Sequence, residues 1–97
     1  MDRLNKFKTV LQKHKKELKR KYQVKEIGIF GSYVHGKQRK KSDVDILIDF
    51  EEEPGLFKFI ELENYLSKIL GVKTDLVMKD TLKPYIGKYI LNEVIYV

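Results

Sequence analysis

"DVDILIDF", residues 43–50, decides how this chain folds. Val44, Ile46, Ile48 and Phe50 alternate with Asp43, Asp45, Leu47 and Asp49. A period of two is that of a β-strand with two unlike faces. The first set must face a core. The second set puts Asp43 and Asp45 side by side, at i and i+2. Two carboxylates so placed repel each other, and Asp is a poor strand former. Stability alone rarely selects such a pair. The residues leave two readings open: a strand with one solvated face, or a divalent-cation site. Carboxylate oxygens are hard ligands suited to Mg²⁺, which takes one or two of them together with phosphates and water. Asp49, followed by Glu51-Glu52-Glu53, belongs with the solvated face.

Working outward, Val24–Phe30 (VKEIGIF) reads as a second strand that Gly31-Ser32 ends. The connection back to Asp43 is short, which fits an antiparallel pair with a small helix in its turn. Gly36–Ser42 (GKQRKKS) is polar and reads as a loop. After the Pro54-Gly55 turn, Leu56–Leu70 shows helical periodicity, with Gly71 as its C-cap. Lys73–Lys79 (KTDLVMK) is a third strand, reached by a parallel crossover. It carries an acid, Asp75, among apolar neighbours. Upstream, residues 2–22 form an amphipathic helix on Leu4, Phe7, Leu11, His14 and Leu18. Lysines crowd its second half, where they complement the helix dipole. His14 on the apolar stripe reads as a packed residue. Pro84 opens a last helix through about Asn92, and Val94–Val97 is a β-prone tail. The expected fold is α/β of the α+β kind: a small mixed sheet with helices mainly on one face. Residues 1–97 are expected to make one domain.

The bulk properties narrow the partners. The chain is 42% hydrophobic and 35% charged, with net charge +6 and no cysteine. Disulfides and thiolate metal sites are thereby excluded. No apolar run reaches the ~20 residues of a membrane span. The N-terminal stretch lacks the apolar core of a signal peptide, so a cytoplasmic location is expected. The positive charge suits an anionic partner. Seventeen of the twenty cations are lysine. Base-edge reading relies on arginine forks, which argues against sequence-specific DNA binding.

Gly31, Gly36 and Lys37 have the spacing of a P-loop, G-x-x-x-x-G-K. Residue 38 is Gln, however, where that loop needs Ser or Thr for Mg²⁺. The following QRKKSD opens no apolar-periodic helix, and the chain is short for a doubly wound domain. A different grouping is more specific: a strand, Gly31-Ser32, ten residues, Asp43-x-Asp45, and Asp75 on a later strand. A Gly-Ser turn between strand and helix can offer amides and a hydroxyl to phosphate oxygens. Three acids on neighbouring strands could hold two metal ions for an in-line displacement.

From about Val24 to Val77 this pattern resembles the minimal nucleotidyltransferases of the DNA polymerase beta superfamily. The resemblance implies their palm-like fold. It implies that Gly31 and Ser32 bind a nucleoside triphosphate, and that Asp43, Asp45 and Asp75 hold two Mg²⁺ ions and carry the catalysis. The chain has His35 where many relatives have an arginine; His35, Lys37, Arg39 or Lys41 could take over that contact. Larger members carry a further domain for the acceptor, and this length has no room for one. The family resemblance then implies an acceptor on a partner: a helical HEPN-type toxin, AMP transferred from ATP to one of its tyrosines, and an antitoxin role, with joint oligomers possible. Alternatives are an antitoxin that neutralises by binding alone, a basic RNA-binding domain, and a transferase for a small molecule.

Overall fold

The computed structural model describes residues 3–37 and 43–97. Its elements are α1 (Arg3–Tyr22), β1 (Val24–Phe30), α2 (Ser32–His35), β2 (Val44–Phe50), α3 (Leu56–Leu70), β3 (Thr74–Met78), a 3₁₀ turn (Lys79–Thr81), α4 (Pro84–Glu93) and β4 (Ile95–Tyr96). The sheet order is β3-β2-β1-β4. β1 and β2 are antiparallel, and β2 and β3 are parallel across α3. The helices in the links fit these relations: α2, in the β1–β2 link, is a single turn of four residues, whereas the parallel return to β3 runs over the 15-residue α3 as its crossover. The tail supplies the fourth strand, antiparallel to β1 through Gly28↔Tyr96 and Ile29↔Ile95. The part of the expected loop that spans 38–42 lies outside the described residues.

One sheet face carries the core. Val44, Ile46 and Ile48 of β2, with Ile27 and Ile29 of β1, meet Phe7, Leu11 and Leu18 of α1 and Leu62, Leu66 and Leu70 of α3. The heptad-like spacing of the helical residues puts each set on one stripe. His14 is half-buried on α1, and its Nδ1 lies 2.9 Å from the Val10 carbonyl oxygen. It packs edge-on to Tyr65, as a structural histidine would.

The second face is less open than alternation suggests. Leu47 is fully buried there. Gly28, its register partner, lies so close under the Val94 side chain that a Cβ at 28 would stand 2.6 Å from Val94 Cγ2. The end of α4 and the tail thus shelter the middle of this face and leave its upper end, with Asp45, beside the shelter.

Side chains of α3 occupy the outer edge of β3. In a parallel pair, alternate residues of an edge strand point their amides away from the sheet. The Thr74 amide donates to Ser67 Oγ at 2.9 Å, and the Leu76 amide to Glu63 Oε2 at 2.9 Å. Asp75 sits between these two fixed residues.

Candidate active site

The acids gather where β1 ends and β2 and β3 begin. Asp45 pairs in register with Phe30 on one side and with Asp75 on the other. Neighbouring strands lie about 4.8 Å apart, so the Asp45 and Asp75 side chains rise next to each other from one row. Asp43 stands just before β2, two residues from Asp45 and on the same face.

Gly31 follows Phe30 and starts the turn into α2 with φ +81° and ψ −150°, a conformation that favours glycine. A Cβ there would stand 2.0 Å from Asp45 Oδ2. Glycine is therefore required twice, for the turn and for the carboxylate lodged against it. Ser32 is the first residue of α2 and half-exposed beside that carboxylate's strand. The turn is tied back by the amides of Val34 and His35, which donate to the Gly31 carbonyl at 3.1 and 3.3 Å.

The electrostatics show a site overloaded with negative charge. The Asp45 carboxyl is pushed up from its ordinary 3.8 to about 6, first by burial and then by the charges of Asp75, Asp43 and Glu93. Each of these disfavours the ionised form. Such a carboxylate is relieved by a cation. Among the described residues, no group of three His, Cys, Asp or Glu side chains is arranged to hold a metal ion by itself. The acids instead offer a partial shell of hard oxygens, a donor set that fits Mg²⁺ when substrate phosphates and water complete it.

Sequence reasoning missed Glu93. It lies in the last turn of α4, makes an ion pair with His35 Nε2 of α2, and its charge reaches Asp45. One signal was available: an acid in the last turn of a helix opposes the dipole, and so calls for a compensating partner. Asp49 accepts the Phe50 amide at 3.1 Å and takes a local role. Lys37 is exposed just beyond α2; Arg39 and Lys41 lie outside the described residues.

A mixed four-stranded sheet with acids paired across two parallel strands, and a glycine turn pressed against one of them, defines the palm-like class of transferase folds. The sequence comparison agrees: the chain belongs to the nucleotidyltransferase domain family, which matches residues 11–97. It is 56% identical over 94 residues to the protein adenylyltransferase MntA of Thermococcus cleftensis, covering 97% of this chain and 95% of that protein. Among solved structures, a minimal nucleotidyltransferase superposes with a TM-score of 0.73 at 30% identity, covering 92% of this chain and 93% of that one. A toxin–antitoxin complex with AMP-PNP contains a chain of the same fold, with a TM-score of 0.71 at 23% identity, covering 88% of this chain and 70% of that one.

Proposed function

We propose that this protein, a single domain, is an Mg²⁺-dependent adenylyltransferase that moves AMP from ATP to a tyrosine hydroxyl of a HEPN-type toxin, and so acts as its antitoxin. The observation that carries the reading is the register pair Asp45–Asp75 with Gly31 pressed against Asp45. The name of the 56% identical relative supports the protein acceptor. The acceptor oxygen attacks the α-phosphorus of ATP. A new P–O bond forms, the bond from the α-phosphorus to the bridging oxygen breaks, and pyrophosphate leaves with the electron pair. Asp75 takes the phenolic proton, directly or through water. Ser32 and the amides that follow Gly31 hold the β- and γ-phosphates. Asp43, Asp45 and Asp75 are the residues that would hold two Mg²⁺ ions, whose bound charge offsets that of the triphosphate.

The test is incubation with labelled ATP, Mg²⁺ and the HEPN-type partner, followed by intact mass of the partner. The expected product is the partner carrying AMP on tyrosine. No transfer with any nucleoside triphosphate or divalent cation rejects the reading. A binding-only antitoxin is favoured by one observation, the exposed aromatic side of α4. It predicts that Asp43→Asn with Asp45→Asn still neutralises the toxin in full.

A further inference from the structure

Beside α4 runs a groove of about 390 Å³ whose lining includes Lys79, Leu82, Lys83, Lys88, Leu91 and Asn92. Its lining combines the apolar Leu82, Pro84, Gly87 and Leu91 with three lysines, and no acid is among the lining residues. Lys79 is engaged, 3.6 Å from Glu26 Oε1 and over the Tyr96 ring. Lys83 and Lys88 are exposed, and no ion pair holds either among the described residues. A surface that combines apolar residues with uncompensated positive charge complements a segment that is acidic and apolar.

The groove also adjoins the candidate site. Leu91 and Asn92 line it, and Glu93 of the same helical turn turns the other way, to His35 and Asp45. Between the two flanks α4 shows Tyr85 and Tyr89 to solvent, 85% and 77% exposed. A helix with its side chains is about 10 Å across. Lys88 also stands about 7.5 Å before Glu93 along the axis, so an extended chain from Lys88 to the far flank takes about four residues, and one from Lys83 about five or six.

We infer that this groove is the docking site for the acceptor: an acidic, apolar segment of the partner protein, anchored on Lys83 and Lys88, with its reactive hydroxyl about four residues beyond the Lys88 contact, across the last turn of α4. The inference rests on the reading that the acceptor is a protein hydroxyl, and it adds where and by what chemistry that protein is held.

The test uses the full chain and a random glutamate–tyrosine copolymer as probe, with lysine–tyrosine copolymer and poly(U) as comparisons. Binding is measured first without ATP, by fluorescence anisotropy. The glutamate–tyrosine copolymer should bind in a salt-sensitive way. Lys83→Glu with Lys88→Glu should weaken it at least about tenfold, and the same reversal at Lys13 and Lys16 on α1 less than about twofold. Lys83→Gln with Lys88→Gln should fall between. Equal loss from the α1 reversal overturns the groove, as does binding of the lysine copolymer. Poly(U) bound at Lys83 and Lys88 in preference to the acidic copolymer overturns it in favour of RNA. Transfer from ATP is then measured separately. Absence of transfer to the HEPN-type partner with any nucleoside triphosphate or divalent cation, with the binding pattern intact, rejects the enzymatic reading and leaves the groove standing. Transfer to the copolymer that ignores the Lys83/Lys88 reversal overturns the groove alone.

Discussion

Asp45→Asn should make the protein more stable and inactive at once. The Asp45 carboxyl is raised from 3.8 to about 6 in the folded chain. For a fully dry group that difference would amount to about 3 kcal/mol against the ionised form. Asp45 is only half-buried, so solvent screening reduces it to about 1 kcal/mol. The sign follows from proton binding. Between about pH 4 and pH 6 the folded state keeps a proton that the unfolded state has released, so stability falls as pH rises through that window. Above it the loss is complete. Asparagine cannot ionise and escapes the loss. Urea denaturation of both proteins from pH 3.5 to 8 should therefore give equal stabilities at the acid end. A gap of about 1 kcal/mol should open by pH 7 in favour of the variant, with unchanged m-values. In the same variant AMP transfer should disappear. A variant that is less stable than wild type at pH 8, or a gap that does not vary with pH, would refute the electrostatic account of this site.

Three further outcomes are expected. Gly31→Ala forces a side chain into a conformation that favours glycine and into Asp45; it should cost about 2 kcal/mol by urea midpoint and abolish transfer, and full activity would contradict the lodged carboxylate. Glu93→Gln removes one of the charges acting on Asp45, so the Asp45 carboxyl, followed by NMR titration, should ionise at a lower pH than about 6; an unmoved titration would separate Glu93 from the site. Glu63→Ala strands the Leu76 amide and should cost about 1–2 kcal/mol, with faster hydrogen exchange at Leu76 than at Ile46; equal protection would deny Glu63 its role at the edge.

Elements whose identity depends on local pattern were legible in the sequence. Val24–Phe30 and Leu56–Leu70 form where periodicity and the terminal glycines place them. The neighbouring strands are trimmed, to Val44–Phe50 and Thr74–Met78, because pairing rather than propensity sets their ends. The tail was β-prone by composition, but its place beside β1 depends on a partner about 67 residues earlier, which no local pattern encodes. The acids were legible as types and spacings, since Asp-x-Asp in a strand conflicts with stability. Their juxtaposition was not, because Asp45 meets Asp75 only through the register that the α3 crossover imposes. Leu47 seemed to share an open face with the acids. It is buried, and over Gly28, its register partner, lies the side chain of Val94, far away in sequence. Glu93 was hidden for the same reason, since its role comes from contacts across 58 residues.

The two ends of the sheet restrict how a second protein can approach. At one end, Glu63 and Ser67 already occupy the amides that an incoming strand would need; at the other, β4 is two residues long. Strand addition, a common route by which sheet proteins capture extended peptides, is therefore closed at β3 and weakly templated at β4. Recognition has to run through side chains on helices and turns. Those positions can change without disturbing the backbone ladder that holds Asp45 against Asp75. Partner choice can thus diverge in this fold while the chemistry stays fixed.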